Sequence, residues 1–589
     1  MICLEIAVCG TRNKLPVRFG DRNENRSYNV KESHLTENGR AAPHSVSDAN
    51  LPRLVNRETT SYHIILGMII LVSGVFRLRN LDTLPPFIDE TAMLKAIIDP
   101  GIFPDLWRVI TGDFLGLLLF KPIYYVCYDP LYGARLVMAL IGIASTAVMA
   151  AIALKLGGRI ASIVCCAVVG FSPLLVFHDR IALWEQLAFL LTCVAILLNV
   201  IAFKSGRPAF TFWGAFVFVL ACSTKVYFVL LAPLLFLPDL FDGISWKAIR
   251  RKAVLVLAGC VAGTAILAML MASILAELHV AQSRPGGLDW YFGADRQMLF
   301  PPEGSHSTRL HIMLTGLHYV GGVLLKYQGR SFWLLYAASI FALFGRRKSL
   351  PSVFLLAMTL MAALAMCAVL VNIFPRYLNV TMLPIALQIG LAAEQVFARY
   401  FLPSEKPLTV RFRANPLYAL QGGLFIFFGV GTFLNTGRND FLIMYNQRGY
   451  RNIPLVDHWQ YQASYSSGAR IAETVDFIRN YCLEAGEPVV LWTVGGLTHG
   501  NATFPLLLRG QGNLQFVHDF TIQPDRLGKI IDSKTRVLLL IEPIGGPVNY
   551  KELPKLGFTL TSIYSSPALS GGTYEIVLVE KKVSDTVTH

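Results

Sequence analysis

The chain has 589 residues, of which 54% are hydrophobic and only 15% charged, and its mean hydropathy is +0.50. This apolar content far exceeds what the core of a soluble protein of this length needs, so it excludes an ordinary soluble protein and indicates an integral membrane protein. The formal net charge of +14 does not favour nucleic-acid binding, because Lys and Arg lie in short segments between apolar runs, as orienting charges do in membrane proteins.

The first 61 residues are polar and basic, and they contain no apolar stretch before "YHIILGMIILVSGVF". This pattern is not that of a cleavable signal peptide, so we expect the first apolar run to stay as a helix. The composition of residues 1–61 predicts a basic, disordered cytosolic arm.

Apolar runs near the roughly 17 to 25 residues that a spanning helix requires follow one another along residues 62–436. They lie at about 62–78, 132–154, 158–177, 184–203, 208–222, 226–241, 253–276, 331–345, 351–373, 377–397 and 417–436. The sequence therefore predicts a polytopic α-helical membrane domain with about eleven spans.

The charges between these runs predict the orientation of the chain. If the N-terminal arm is cytosolic, five short connections that carry Lys or Arg are cytosolic too, as the positive-inside rule requires. These connections hold Lys155 and Arg159, Lys204 and Arg207, 246–252, 345–349, and 399–413. An odd number of spans then places three segments with ionisable residues outside, 79–131, 177–185 and 277–330, together with everything after residue 436.

Residues 437–589 have the composition of an ordinary globular domain. The segment 466–486 has helical spacing of apolar residues, and "PVVLWTV", "TRVLLLIEPI" and "TYEIVLVEKK" are typical of strands. We expect a small extracytoplasmic α/β domain. The glycine-rich 494–504 lacks a full dinucleotide fingerprint, which favours a turn over a cofactor site.

Two adjacent carboxylates, Asp89 and Glu90, stand in "PPFIDETAML" about ten residues beyond the first run. A carboxylate at the edge of a bilayer can accept a proton from a hydroxyl group. The alternative is structural, because an acidic pair in a loop can simply be solvated, and Asp89 would make a reasonable helix N-cap. The stretch after the pair, 91–110, predicts a short helix lying at the membrane interface.

Further ionisable residues fall on the same predicted side. "HDRIALWE" places four of them within eight positions, and Lys225 and Arg376 each stand alone between two apolar runs. Each alone is compatible with an interfacial anchor. Together, three separated cations and an acidic pair could bind a phosphate group whose lipid tail lies in the membrane. The histidines at 306, 311 and 318 have no companion cysteines or fixed pattern, so a divalent metal is possible but not indicated.

Four motifs occur in an order that resembles a known family. They are "RLRNLDTLPPFIDE", "FHDRIALWEQLAFLLTCVAILL", "STKVYFVLLAPLLFL" and "FPRYLNVTMLPIALQIGLA". In this order they resemble the protein O-mannosyltransferase and aminoarabinose transferase branch of the GT-C superfamily, which uses polyprenyl-phosphate-linked sugars. "NIPLVDHWQYQASYSSGARIAETVDFIRN" is similar to the link between the last helix and the soluble domain of bacterial members. The resemblance spans about residues 60–485.

The resemblance implies a role for each matching residue. Asp89 matches the first-loop acidic residue that acts as general base on the acceptor hydroxyl, with Glu90 as its companion. Lys225, Arg376 and Arg180 match cations that neutralise the donor phosphate. The supporting positions are Glu185, where many members have Asp, and His178, Asp179 and Tyr377.

The implied activity is inverting transfer of a sugar from a polyprenyl or dolichyl phosphate to an extracytoplasmic hydroxyl of a protein Ser or Thr, lipid A or a cell-envelope glycan. The predicted partners are the lipid-linked sugar, its acceptor and the bilayer, with no certain cofactor. The central loop has no room for the lectin-like domain of eukaryotic members, which favours a bacterial cytoplasmic membrane. The alternative is a transporter or flippase of an anionic or lipid-linked substrate, in which intramembrane charges would form the substrate path.

Overall fold

The structure is a computed structural model that describes most of the chain from residue 51 onward. The described residues are 51–82, 85–96, 114–241, 246–278, 309–343, 349–369, 375–400, 416–445, 470–494, 499–519, 522–532, 535–542, 550–566 and 573–582. Residues 1–50 of the cytosolic arm predicted over 1–61, much of the segment 277–330 and the link 446–469 lie outside them. Residues 51–61, predicted to be disordered, belong to the helix Leu51–Leu78.

All eleven predicted apolar runs overlap helical structure. The α-helices of this part are α1 Leu51–Leu78, α2 Ile88–Ala96, α3 Phe114–Val126, α4 Pro130–Leu156, α5 Arg159–Gly170, α6 Pro173–Asp179, α7 Glu185–Ser205, α8 Ala209–Thr224, α9 Trp246–Leu278, α10 Arg309–Leu343, α11 Ser349–Val369, α12 Asn379–Tyr400 and α13 Pro416–Tyr445. Two 3-10 helices, Val226–Leu240 and Pro375–Leu378, complete the set.

Within the described residues, six helices are long and apolar enough to cross a membrane, and a seventh span results if α5 and α6 are taken as one span with a 58° bend. The polytopic helical architecture is thereby confirmed. Two further apolar helices, α8 and the 3-10 helix 226–240, are shorter. The predicted interfacial helix over 91–110 corresponds to α2 as far as Ala96, and 97–113 lie outside the described residues.

Local chemistry explains where two of these helices begin. The Asp129 carboxylate caps α4 by accepting hydrogen bonds from the backbone N–H groups of Leu131 and Tyr132, both at 3.0 Å. Proline at the first position of α4 and of α6 costs no helical hydrogen bond there. Ser172 caps α6, so Ser172 and Pro173 together end α5 and restart the chain in a new direction.

The helices pack around α12, which is the most buried of the six spans, whereas α1 and α9 are the most exposed. Exposed apolar side chains on α1 and α9, among them Leu71 and Met269, are what a lipid-facing surface requires. The residues at the ends of the buried helices are therefore the ones that can form a protected polar site.

The C-terminal domain has a five-stranded mixed sheet with the order β2-β1-β3-β5-β4. The elements are α14 Ile471–Ala485, β1 Val489–Val494, α15 His499–Leu507, β2 Leu514–Asp519, α16 Pro524–Asp532, β3 Arg536–Ile541, the 3-10 helix Tyr550–Leu556, β4 Phe558–Ser565 and β5 Glu575–Lys581. The strands β2, β1 and β3 are parallel, and β5 is antiparallel to both β3 and β4.

Helices cover both faces of this sheet. As a result, alternate residues of β1 are buried on opposite faces. Val489 and Leu491 pack with α14 and α15, while Val490 and Trp492 pack on the other face with Leu527 of α16. The predicted α/β domain is confirmed, with the predicted helix and three predicted strands present. The strands β2 and β4, which carry more polar residues, were not predicted.

The described residues from Glu58 onward form one compact unit that contains both the helical part and the C-terminal domain. The boundaries predicted at residues 61 and 436 fall within α1 and α13. The predicted division of the chain into domains stays a prediction.

Candidate active site

Four charged residues from four distant parts of the sequence form one chain of ion pairs. Arg376 Nη2 lies 3.2 Å from Asp89 Oδ2, and Arg376 Nε lies 3.4 Å from Glu185 Oε1. The Nζ atom of Lys225 lies 3.9 Å from the same Glu185 oxygen. Two carboxylates and two cations thus alternate in the order Asp89, Arg376, Glu185, Lys225.

Each of these residues stands at the end of a helix. Asp89 is in the first turn of α2, and Glu185 is the first residue of α7. Lys225 is the extended residue between α8 and the 3-10 helix 226–240, and Arg376 is in the 3-10 turn that leads into α12. Carboxylates at helix N-termini are stabilised by the helix dipole, which favours Asp89 and Glu185 at these positions.

The four side chains differ in exposure. Glu185 is almost completely buried, with 2% of its side chain exposed, whereas Arg376 is 9%, Lys225 20% and Asp89 34% exposed. A buried carboxylate without a partner would cost several kcal/mol, so the two cations are what allows Glu185 to be charged there. Asp89 is the member of the cluster that is most open to an incoming molecule.

Aromatic rings line the two cations. The Arg376 guanidinium carbon lies 5.8 Å from the centre of the Phe87 ring and 5.4 Å from that of Tyr377, and Lys225 Nζ lies 6.0 Å from the Trp184 ring. Rings at these distances attract a cation and exclude water from it. A cation in such surroundings interacts more strongly with an anionic ligand than one in bulk water does.

Glu90 is fully buried and its carboxylate is occupied by protein groups. It accepts hydrogen bonds from Arg135 Nε at 2.9 Å and Nη2 at 2.6 Å, and from the backbone N–H groups of Ala182 at 2.6 Å and Phe87 at 3.1 Å. The Phe87 contact is one half of a capping box at the start of α2. Glu90 therefore ties α2 to α4 and to the segment before α7.

Arg180 directly follows α6, and its buried side chain contacts the C-terminal end of α1. Its guanidinium donates to the backbone carbonyls of Phe76, Arg79 and Asn80, each at 2.8 Å. These carbonyls belong to the last turn of α1 and the residues after it, where helical partners run out. These hydrogen bonds hold the guanidinium against α1, and its predicted phosphate-binding role stays a prediction.

The three remaining predicted residues lie close to this site with different contacts. Asp179 forms an ion pair of 2.6 Å with Arg77 of α1. His178 donates from Nδ1 to the carbonyl of Leu174 at 2.8 Å. Tyr377 packs against Tyr227 with 5.2 Å between ring centres.

Sequence reasoning missed the partners of two of these carboxylates. Arg135, the partner of Glu90, is an isolated cation inside the apolar run of α4, and Arg77 ends the first run. A lone arginine in an apolar run is a signal for a buried pair, but the sequence does not say with which carboxylate it pairs. Within the described residues, no group of three His, Cys, Asp or Glu side chains could hold a metal ion.

The comparisons with known proteins give a fold. No protein-family model matches the chain, and no curated relative matches its sequence. The structure of ArnT from Cupriavidus metallidurans bound to undecaprenyl phosphate superposes with a TM-score of 0.52 at 14% identity, over 88% of this chain and 97% of that chain. The apo structure of the same protein gives a TM-score of 0.50 at 13% identity, over 89% and 98%.

The chain has the GT-C fold. The GT-C architecture implied by the four motifs is thereby confirmed, including the helical membrane part and the C-terminal domain. At this level of identity the superposition establishes the GT-C fold alone. The roles of individual residues stay predictions.

Proposed function

We propose that this chain is an inverting glycosyltransferase that moves a sugar from a polyprenyl or dolichyl phosphate to a hydroxyl group. The observation that carries the proposal is the cluster of Asp89, Arg376, Glu185 and Lys225, in which a partly exposed carboxylate stands beside two shielded cations. The GT-C fold supports it, as does the undecaprenyl phosphate bound by the ArnT relative.

The reaction assigns a separate task to each end of the cluster. Asp89 accepts the proton of the acceptor hydroxyl, whose oxygen forms a bond to the anomeric carbon of the sugar. The bond between that carbon and the phosphate oxygen breaks, and the electron pair leaves with the lipid phosphate. Arg376 and Lys225 stabilise the charge that develops on this leaving group. A single displacement of this kind inverts the anomeric centre.

The ion pair between Asp89 and Arg376 gives the cluster a way to respond to the donor. A donor phosphate that binds Arg376 competes with the Asp89 carboxylate for the same guanidinium. Asp89 is then released toward the acceptor, while the buried Glu185 keeps both cations in place. Glu90, held by Arg135, acts in this proposal as a positioning residue for α2.

The proposal includes a location. The short basic connections support a cytosolic N-terminal side, which puts Asp89 and the C-terminal domain on the outer side of a bacterial cytoplasmic membrane. The acceptor would then be a hydroxyl of a protein, lipid A or an envelope glycan.

The decisive experiment measures sugar transfer from a panel of radiolabelled polyprenyl-phosphate sugars by purified chain in lipid vesicles. We expect wild type to transfer label from at least one donor and Asp89→Asn to lose at least about 1,000-fold of the rate, because the substitution removes the proton acceptor. Asp82→Asn is the matched control, since it makes the same change in an exposed carboxylate before α2.

Lys225→Ala and Arg376→Ala test the phosphate site separately. Both should slow transfer and weaken binding of polyprenyl phosphate, because each removes a charge that faces the leaving group. Unchanged turnover in both variants would refute the phosphate assignment. If folded wild-type chain transferred label from no donor, the transporter alternative would gain weight.

A further inference from the structure

The C-terminal domain makes a direct hydrogen bond to the helix that carries Asp89. Thr503 Oγ1 in α15 lies 2.7 Å from Thr91 Oγ1 in α2, and both residues are fully buried. The two threonines are separated by 412 positions in the sequence. Thr91 is two residues after Asp89 in α2.

The short helix α2 is held by contacts of the two residues that directly follow Asp89. Glu90 binds the helical part through Arg135 and the backbone of Ala182. Thr91 binds the C-terminal domain through Thr503. The position of Asp89, the proposed base, therefore depends on Glu90, which binds the helical part, and on Thr91, which binds the C-terminal domain.

The helix α15 is attached both to the rest of its own domain and to α3. The Glu542 carboxylate after β3 accepts the backbone N–H of Gly500, and within α15 His499 Nδ1 lies 2.7 Å from Thr503 Oγ1. Arg509, just beyond α15, donates to the carbonyl of Tyr124 in α3 at 2.8 Å, and its guanidinium lies 4.5 Å from the Tyr124 ring.

Apolar contacts join the same elements. Leu506 of α15 is buried in a cluster with Leu94 of α2, Phe120 of α3 and Trp184. Trp184 directly precedes Glu185 and lies beneath Lys225. The C-terminal domain therefore packs against residues that support both ends of the charged cluster.

We infer that α15 of the C-terminal domain sets the position of α2, with Thr503 as a positioning residue that acts on Asp89 through Thr91. The inference rests on the proposed function, since it assigns to the domain a part in the transfer step itself. Thr503 touches no substrate in this scheme. A displacement of about 1 Å in a reacting group can cost 100-fold in rate, so a single hydrogen bond to α2 has enough leverage.

The test uses the full chain in lipid vesicles, with a polyprenyl-phosphate sugar from which the wild-type chain transfers label. Thr503→Val keeps the shape of the side chain and removes the hydroxyl, and it should lower kcat by about 10-fold to 100-fold with donor KM unchanged within about twofold. Thr503→Ser restores the hydroxyl and should recover kcat to within about threefold of wild type. Thr91→Val should match Thr503→Val, and the double variant should be no slower than the slower single variant.

The matched control is Thr474→Val in α14. Thr474 is equally buried in the same domain, and among the described residues its hydroxyl bonds to the Arg470 carbonyl alone, at 2.9 Å. This variant should keep wild-type kcat. The inference is overturned if Thr503→Val keeps wild-type kcat, if Thr503→Ser is as slow as Thr503→Val, or if Thr474→Val shows the same loss.

Amide hydrogen exchange reads the coupling without any substrate. Thr503→Val should speed exchange of the α2 amides by about 10-fold, while Thr474→Val should leave them unchanged. Faster α2 exchange in a chain whose wild type transfers no sugar would overturn the proposed function and leave the coupling intact. Wild-type transfer that needs Asp89 but is indifferent to Thr503 would overturn only this inference.

Discussion

At the scale of single residues, the buried Glu185 carboxylate is the centre of the charged cluster. It is within ion-pair distance of Arg376 and Lys225, so its one negative charge is shared between two cations. With Asp89, the four residues sum to zero charge. Removal of Glu185 leaves the two cations facing each other across a poorly solvated space, where their repulsion is strong.

We therefore expect Glu185→Gln to separate binding from catalysis. The site gains a net positive charge, so polyprenyl phosphate should bind as tightly as in wild type or more tightly at low salt. The repelling cations lose their alignment, so kcat should fall by about 10-fold to 100-fold. Quenching of tryptophan fluorescence by polyprenyl phosphate, compared with turnover on the same sample, would measure both. Weaker binding with unchanged kcat would contradict this role for Glu185.

Glu90 differs from Glu185 in its partners. It binds Arg135 and backbone N–H groups, none of which we place in contact with the donor phosphate. Its pairing with Arg135 is bidentate, and both side chains are almost fully buried. Loss of one member leaves an uncompensated buried charge, which typically costs about 3 to 5 kcal/mol. We therefore expect the pair to contribute to the stability of the fold, and the predicted catalytic role of Glu90 stays a prediction.

We expect Glu90→Gln to lower the free energy of unfolding by about 3 to 5 kcal/mol, and Arg135→Met to do the same. The double variant Glu90→Gln with Arg135→Met should lose less than the two single losses added together, because no lone charge remains. Thermal unfolding of the purified chain in detergent would measure the three values. Fully additive losses would mean that the two side chains do not act as a pair.

At the scale of elements, close packing between α3 and the start of α7 supports the cluster. The backbone of α3 at Gly116 packs against the Trp184 indole, and a Cβ atom added at Gly116 would overlap that ring. Trp184 is buried, directly precedes Glu185 and lies beneath Lys225. The glycine thus permits the approach of α3 that holds the ring in place.

Gly116→Ala should displace Trp184 and lower stability by about 1 to 3 kcal/mol, as overpacking of a filled core does. The rate of transfer should fall as well, because Glu185 and Lys225 move with the ring. Gly321→Ala in α10 is the matched control, since among the described residues a Cβ atom added at Gly321 would meet no heavy atom within 4 Å outside its own helix backbone. Alanine there should leave activity unchanged and stability unchanged or slightly higher. A fully active Gly116→Ala variant would show that Trp184 does not support the cluster.

The sequence predicted the helices well because apolar runs of spanning length have few other interpretations. It also singled out Asp89, Glu185, Lys225 and Arg376, which the structure brings together. It could not separate Asp89 from Glu90, because the difference depends on Arg135, a residue 45 positions away that reaches Glu90 only through the packing of α4 on α2. In the same way, the contact between Thr91 and Thr503 depends on how two domains meet, which no local pattern records.

At the scale of the whole molecule, the link between α15 and α2 ties the C-terminal domain to the charged cluster. Thr91 and Thr503 are in hydrogen-bond contact, and Leu506 packs with Trp184. The domain and the cluster must therefore lie on the same side of the membrane. A reporter that shows on which side of the membrane the C-terminal domain lies therefore also shows the side of the charged cluster.

The positive-inside rule predicts that this side is the outer one. Alkaline phosphatase, which is active only where its disulfides can form, should be active when fused after His589 and inactive when fused after Ser205, beside the basic connection of Lys204 and Arg207. Removal of the five basic connections by Lys and Arg to Gln substitutions should weaken this asymmetry, because those charges fix the orientation. The reverse pattern in the unmodified chain, activity after Ser205 and none after His589, would put Asp89 and its cluster in the cytosol. The acceptor would then have to be a cytosolic hydroxyl, and the envelope acceptors of the proposed function would be excluded.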